Sequence, residues 1–152
     1  MIITATAQSL ARYCAWRRSG EFIFLSGVIA VDPAAGRIIR GFADLPLSVS
    51  PTIGQTGEFS VDANDGPILA QSWLVFDRIR ATMKEAGGSM ADVFKLVQYF
   101  KNLNDFLHYN TVRHMFFPGT RPVSTVVEVS AMMPSDEIFI EVEATAWLSV
   151  SA

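Results

Sequence analysis

The chain has 152 residues, of which 50% are hydrophobic and 18% are charged. A chain of this length buries roughly 70% of its unfolded surface, so it can fold without a disulfide or a structural metal. The net charge of −3 and the isoelectric point of about 5.3 exclude proteins that bind nucleic acid through a strongly basic surface.

The cellular setting is predicted from the single cysteine and the apolar segments. Cys14 can form no internal disulfide, which suits a reducing compartment. The first residues lack the basic and apolar regions of a signal peptide. The longest apolar stretch, 22–31, is interrupted by Ser26 and Gly27, and it is shorter than the roughly 20 residues that span a bilayer. We therefore expect a soluble cytoplasmic protein with no membrane partner.

The first half of the chain is predicted to hold a hairpin followed by a long irregular segment. Residues 13–18 can pair with the apolar run 22–25 through the turn at 19–20. A second turn falls at 32–36, where Asp, Pro and Gly cluster. Residues 41–64 are rich in Ser, Thr, Gly, Pro and Asp, and we interpret them as an extended loop.

The second half is predicted to alternate helices and strands. The sequence Asp-Gly-Pro at 65–67 starts a first helix, which Gly-Gly at 87–88 ends. Asn104 caps a second helix over 105–117. Strands are predicted at 93–100, 124–129 and 138–149. This order predicts an α+β architecture in which both helices pack on one face of a mixed sheet.

The predicted sheet has apolar residues on both faces. In the last strand Phe139 and Trp147 alternate with a row of Ile, Val and Ala, and both faces of 93–100 are largely apolar. Two helices cover only one face, so the other would expose a large apolar patch, which usually marks an interface. We therefore expect a homo-oligomer whose sheets pack together. The alternative is that segment 41–64 folds back over this face.

Several short motifs, each weak alone, occur in an order and spacing that resemble one enzyme family. They are Tyr13-Cys14, Ser26-Gly27, Asp92-Val93-Phe94-Lys95, Lys101-Asn102-Leu103-Asn104-Asp105-Phe106, Asn110, Phe116-Phe117 and Glu141-Val142-Glu143-Ala144. On these residues the chain resembles the reactive intermediate deaminase family, also called RidA or YjgF-like, over most of its length.

The resemblance implies one domain over residues 1–152 with a chorismate-mutase-like α+β fold. Its mixed six-stranded sheet would carry two helices on one face and assemble as a homotrimer, with ligand clefts between subunits. Active members hydrolyse small enamines and imines, such as 2-aminoacrylate, to a keto acid and ammonia. They use no metal or organic cofactor, so none is expected here. Segment 41–64 is longer than the usual family connection, and we interpret it as an insertion.

Glu141 is the residue that the resemblance assigns to catalysis. It matches the family glutamate that positions a water, which a carboxylate can activate as a general base; the alternative is an interface glutamate in a salt bridge. Tyr13 would line the cleft wall, or else serve as an aromatic contact at the interface. Ser26 and Gly27 allow a close backbone approach to the ligand, and Asn110 would support the cleft from the second helix.

The main departure concerns the arginine that clamps the substrate carboxylate in the family. With the chain aligned on Pro122 and on 127–129, the family position falls at Ser124, which carries no charge. Arg121 could fold back into the cleft, although Pro122 stiffens that path; the alternative is a solvated loop arginine. Ser124 and Arg121 are both candidate substrate-binding residues, and Thr125 is expected to point away.

Three functions are compatible with this pattern. The first is hydrolytic deamination of a small imine or enamine other than 2-aminoacrylate, because without the arginine the substrate could lack an α-carboxylate. In that case Ser124→Arg should restore some 2-aminoacrylate hydrolysis. The second is a trimer that binds a small metabolite without turning it over. The third, an endoribonuclease or translation inhibitor, is disfavoured by the acidic isoelectric point and the absence of basic clusters.

Overall fold

The structure, a computed structural model, describes residues 11–150. Within that range there are two α-helices, α1 (Phe59–Glu85) and α2 (Phe106–Phe116). The strands, in chain order, are β1 (Trp16–Ser19), β2 (Phe22–Leu25), β3 (Val28–Ile29), β4 (Val31–Asp32), β5 (Arg37–Ile38), β6 (Val93–Phe100), β7 (Val123–Glu128) and β8 (Ile140–Trp147).

Six of these strands form one mixed sheet in the order β1-β2-β8-β6-β7, with β3 paired to another part of β8. The β6–β7 pair is parallel and the other pairs are antiparallel. Strands β4 and β5 form a separate two-stranded ribbon. Both helices pack in the main core with the buried face of the large sheet. The predicted α+β class, with two helices on one face of a mixed six-stranded sheet, is confirmed.

Alternation along β8 separates a buried face from an open one. The buried row consists of Ile140, Val142, Ala144 and Ala146. The other row, formed by Glu141, Glu143, Thr145 and Trp147, lies on the face opposite the helices, which we call the open face. Here Phe22, Phe24 and Trp147 are 44%, 49% and 47% exposed. The second apolar face that the sequence predicts is therefore present in the folded chain.

β6 departs from simple alternation at its first residues. Strict alternation would place Phe94 with Leu96 and Phe100 under the helices. A register shift between Val93 and Lys95, opposite β8, turns Phe94 onto the open face instead. There its ring centre lies 6.0 Å from that of Phe22. The bulge therefore adds one more aromatic ring to the open face.

The first helix begins well before its predicted start at 65–67. α1 starts at Phe59, so residues 59–64 are helical and the predicted loop over 41–64 ends at 58. The Asp62 carboxylate accepts bonds from the backbone N–H of Thr56 (2.8 Å) and of Gly57 (2.9 Å). The Thr56 backbone bond is the largest cause that holds the pKa of Asp62 below its ordinary value. These bonds tie the loop to the first turn of α1.

The Gly-Pro pair that predicted the helix start lies inside α1, where Gly66 packs closely against Phe42. A Cβ on Gly66 would lie 3.1 Å from the Phe42 ring, so a larger residue there would require the ring to shift by a few tenths of an ångström. Pro67 removes one backbone hydrogen bond of the helix, at a cost of about 3 kcal/mol. The carbonyl that loses its partner belongs to the exposed Ala63, where water can reach it. The predicted stop is confirmed: Gly87 has a φ of 90°, and the Gly88 N–H donates to the Met83 carbonyl at 2.8 Å.

The segment 41–58 packs on the helix side of the sheet. It contains two 3₁₀ turns, Phe42–Asp44 and Ser50–Ile53. Phe42, Leu45 and Ile53 are buried in the main core, and both turns contact α1. The alternative in which this segment covers the open face is therefore wrong. Its status as an insertion relative to the family stays a prediction.

The second helix is capped earlier than predicted. A 3₁₀ turn, Leu103–Asp105, precedes α2, and the Asn102 side chain accepts a bond from the Asn104 N–H at 2.9 Å. The predicted cap at Asn104 is therefore wrong, because the chain already turns helically one residue earlier. The predicted end of the helix agrees with Phe116 to within one residue.

Candidate functional site

Glu141 lies on the open face of β8 and lines a shallow cavity of about 290 Å³. In the strand register, Glu141 is paired with Ile29 of β3 on one side and with Tyr99 of β6 on the other. The remaining lining residues are Gly27, Val129, Ala131, Met132, Met133 and Glu143. The cavity therefore combines two carboxylates and a phenol with an apolar loop that follows β7.

Gly27 lets the chain between β2 and β3 approach the Glu141 carboxylate. A Cβ on Gly27 would lie 2.1 Å from Glu141 Oε1, which no side chain can occupy without moving the carboxylate. Ser26, the adjacent candidate, is bonded elsewhere. Its hydroxyl donates to the Cys14 carbonyl at 2.7 Å, and its N–H donates to the Ala15 carbonyl at 2.9 Å. Gly27 thus shapes the cavity, and Ser26 holds the segment that precedes β1.

The electrostatics of the cavity favour a proton-accepting carboxylate. Burial, and secondarily the neighbouring Glu143 carboxylate, raises the pKa of Glu141. The pKa of the Tyr99 phenol is also raised, by burial first and then by Glu143 and Glu141. A carboxylate with a raised pKa is a stronger base when ionised, which suits the activation of a water. Sequence reasoning missed Tyr99 here because its pairing with Glu141 depends on strand register.

Ser124 points to the helix side of the sheet, at the outer strand β7. Its hydroxyl oxygen accepts bonds from Gln98 Nε2 at 2.7 Å and from Arg113 Nη1 at 3.1 Å. Gln98 is fully buried in β6 and also donates from Nε2 to the Thr125 carbonyl at 3.0 Å. The Tyr109 hydroxyl donates to Gln98 Oε1. These residues form one connected polar cluster between β7 and α2, the Ser124 cluster.

Gln98, Tyr109 and Arg113 were not among the sequence candidates. The signal for Gln98 was a polar residue between Leu96 and Phe100, on the buried face of a predicted strand. A buried amide needs partners, because a buried polar group without hydrogen bonds is costly. The partners come from α2 and β7, and their contacts depend on long-range packing.

Ser124 and Glu141 lie on opposite faces of the sheet. Ser124 is opposite Leu96 in the register and bonded to Gln98, and both of these side chains are buried under the helices. Glu141 is paired with Tyr99 on the open face. Within one chain the two predicted site residues therefore do not converge on one small ligand.

The other three candidates are not brought to Glu141. Tyr13 is exposed, before β1, and does not line the cavity. Asn110 lies on α2, and its buried Oδ1 has no hydrogen-bond partner among residues 11–150. Arg121 is exposed and forms no hydrogen bond or salt bridge within the same range.

The described part of the chain carries neither a metal-ligand cluster nor a membrane-spanning helix. No group of three or more His, Cys, Asp and Glu side chains could hold a metal ion there. No helix in residues 11–150 is long and apolar enough to cross a membrane. A second cavity, of about 500 Å³, lies between the C-terminal ends of the two helices, but none of the predicted site residues lines it.

Known proteins place the chain in a family. The family model described as Endoribonuclease L-PSP matches residues 47–148. Among relatives, the 2-iminobutanoate/2-iminopropanoate deaminase of Escherichia coli strain K12 is 34% identical over 120 residues, covering 77% of this chain and 88% of that protein.

Two solved structures share the fold. A Klebsiella pneumoniae structure, described as a candidate endoribonuclease, is 59% identical with a TM-score of 0.88, covering 90% of this chain and 99% of that one. Escherichia coli TdcF, solved with bound serine, is 25% identical with a TM-score of 0.70, covering 95% and 94%. The matched family model and these similar proteins agree with the family that the sequence motifs indicate. The chain belongs to the Endoribonuclease L-PSP family, which is the reactive intermediate deaminase (RidA, YjgF-like) family.

Proposed function

We propose that this chain forms a homotrimer whose intersubunit clefts hydrolyse a small imine or enamine to a carbonyl compound and ammonia. The observation that carries the proposal is Glu141, a half-buried carboxylate of raised pKa beside the Gly27 backbone. Similarity to a relative named as an iminobutanoate and iminopropanoate deaminase supports the reaction class. The exposed apolar open face supports the assembly. The exposed free thiol of Cys14 supports a reducing compartment such as the cytoplasm.

Glu141 acts as the general base of the reaction. Its ionised carboxylate takes a proton from a water, the water oxygen bonds to the imine carbon, and the C=N electron pair moves to nitrogen. The carboxylic acid then returns that proton to nitrogen, which gives a neutral carbinolamine. The proton of the carbinolamine hydroxyl next moves to nitrogen through the Glu141 carboxylate, so that the C=O bond forms as the C–N bond breaks and ammonia leaves. Water supplies the oxygen and the added hydrogens, so the reaction needs no cofactor.

The substrate is expected to differ from 2-aminoacrylate. Ser124 stands where the family resemblance places the clamping arginine, and a hydroxyl cannot form the bidentate ion pair that a guanidinium forms with a carboxylate. The uncharged Ser124 supports a substrate that is held differently from the standard one.

Imines released from a panel of amino acids by an amino acid oxidase provide the test. Ammonia and carbonyl release is followed with and without the protein. We expect acceleration of at least one imine, little acceleration for 2-aminoacrylate, and a loss of at least about a hundredfold in Glu141→Gln. Full activity in Glu141→Gln, or hydrolysis of 2-aminoacrylate at the rate of an active family member, would refute the proposal.

A trimer that only binds a metabolite is the alternative, because the described chain does not bring Ser124 and Glu141 together. It predicts ligand binding by the wild type with no acceleration of any imine. Cleavage of RNA is disfavoured by the cavity, where Glu141 and Glu143 would repel a phosphate backbone. Incubation with a labelled RNA should therefore leave it intact.

A further inference from the structure

A guanidinium lies beside Ser124 although the strand itself carries no arginine. Arg113, on α2, donates from Nη1 to the Ser124 hydroxyl at 3.1 Å and to Gln98 Oε1 at 2.9 Å. Arg113 is half-buried and Ser124 is exposed, so a ligand outside the chain can reach the Arg113 guanidinium. The positive charge that β7 lacks is supplied here from the facing helix.

The charge of Arg113 is not neutralised within the described chain. Its Cζ lies 5.8 Å from the ring centres of both Phe106 and Tyr109. No carboxylate among residues 11–150 forms a salt bridge with it. Arg80, another helical arginine over an aromatic ring, is by contrast paired with Asp77. Partial burial without a counter-ion makes Arg113 a favourable site for an anion.

The Ser124 cluster holds the guanidinium in place. Gln98 is fixed by its bonds to Ser124, to the Thr125 carbonyl and to the buried Tyr109 hydroxyl. The Ser124 oxygen accepts from both Gln98 and Arg113, so a serine here completes the cluster and orients the fork. An arginine at position 124 could accept neither bond. Ser124 and Arg113 therefore fit together as a pair. Within residues 11–150, the hydrogen bonds of the Arg113 guanidinium come from Nη1 alone.

We propose that Arg113 binds the carboxylate of the ligand, so that the substrate is a small imino or enamino acid despite the serine at position 124. The inference rests on the proposed cleft function and names its substrate class. A planar fork that still has free N–H donors matches a carboxylate bidentately, which an alcohol or amide cannot reproduce. The Arg113 guanidinium comes from α2, whereas the family arginine would come from β7. The bound carboxylate therefore lies in a different place from the one that the family arginine would give it, which fits a preference for an acid other than 2-aminoacrylate.

The test compares a charged probe with its neutral counterpart. Binding of 2-oxobutanoate and of 2-oxobutanamide is measured by calorimetry or ligand-observed NMR for the wild type, Arg113→Gln, Arg113→Lys and the matched control Arg80→Gln. We expect Arg113→Gln to lower affinity for the carboxylate by about tenfold to a hundredfold. Affinity for the amide should not change, Arg113→Lys should be intermediate, and Arg80→Gln should bind as the wild type does. Sedimentation confirms that each variant keeps its assembly.

Several outcomes would overturn the inference. They are wild-type affinity for the carboxylate in Arg113→Gln, an equal loss for the neutral amide, no carboxylate binding by the wild type, or a loss confined to Arg121→Gln. The inference and the hydrolytic function fail separately. Carboxylate binding through Arg113 without any imine hydrolysis leaves the inference standing and removes the function. If hydrolysis needs Glu141 but Arg113→Gln has the same KM as the wild type, the hydrolytic function stands and the inference about Arg113 is refuted.

Discussion

At the scale of single residues, Gly27 limits where the Glu141 carboxylate can lie. A methyl group on Gly27 would overlap Glu141 Oε1, at 2.1 Å. We expect Gly27→Ala to keep the fold, because the clash is with the end of a side chain, and to lower kcat at least about tenfold by moving the base. The control is Gly41→Ala, where a Cβ meets open space. Equal kcat for both variants would show that the position of the carboxylate is unimportant.

Glu143 offers a way to shift the acid limit of activity. Burial and the Glu143 carboxylate raise the pKa of Glu141, so acidification removes the base at a higher pH than for an ordinary glutamate. Glu143→Gln removes the repulsion and leaves the burial. The acid limb of the pH–rate profile should therefore move part of the way to lower pH. Glu85→Gln, an exposed carboxylate at the end of α1, should leave the profile unchanged. An unmoved limb in Glu143→Gln would contradict the assigned coupling.

At the scale of secondary structure elements, Pro67 is the weak point of α1. Pro67→Ala gives the Ala63 carbonyl its missing partner, so we expect the free energy of unfolding to rise by about 2 kcal/mol. Urea unfolding at one fixed protein concentration measures this, because the proposed assembly would also contribute to stability. Pro51 sits in the first turn of a 3₁₀ helix, where proline fits, so Pro51→Ala should give no such gain. A destabilised Pro67→Ala would mean that packing at this point depends on the ring.

Much of the fold could be predicted because its signals are local. The turn at 19–20, the alternation along β8 and the glycines after α1 depend on a few adjacent residues. The start of α1 could not be found in this way, because Gly66 and Pro67 form a strong local helix-start signal. In the folded chain Gly66 instead packs against Phe42, which is distant in sequence, and the helix already begins at Phe59. The bulge that turns Phe94 outward also depends on the partner strand.

The candidate site was only partly predictable. Glu141 and Gly27 could be named from the family motifs, and the structure brings them into contact. Arg113 could not be named, because its role depends on the register of β7 against β6 and on the packing of α2. The serine at position 124 suggested that a charge had been lost. In the folded chain, the packing of α2 places the charged Arg113 side chain beside Ser124.

At the scale of the whole molecule, the open face should control assembly. Phe24 is 49% exposed there, and replacing it with glutamate would place a charge in the proposed dry interface. We expect Phe24→Glu to sediment as a folded 16.7 kDa particle while the wild type sediments as a trimer. Phe59→Glu, at an 88% exposed phenylalanine at the start of α1, is the matched control and should stay assembled. If the wild type sediments at the monomer mass, both the proposed trimer and its intersubunit clefts are refuted.

The opposite-face arrangement of Glu141 and the Ser124 cluster allows two defective chains to rescue each other. Suppose that each active centre takes its base, Glu141, from one protomer and its cation, Arg113, from the next. Glu141→Gln and Arg113→Gln then disable different halves of the active centre. In trimers refolded from an equal mixture, about one junction in four would combine two intact halves. At a substrate concentration well below the KM of Arg113→Gln, the mixture should then regain about a quarter of wild-type turnover, which is well above the turnover of either parent alone. A mixture as inactive as its parents would mean that each active centre belongs to a single chain.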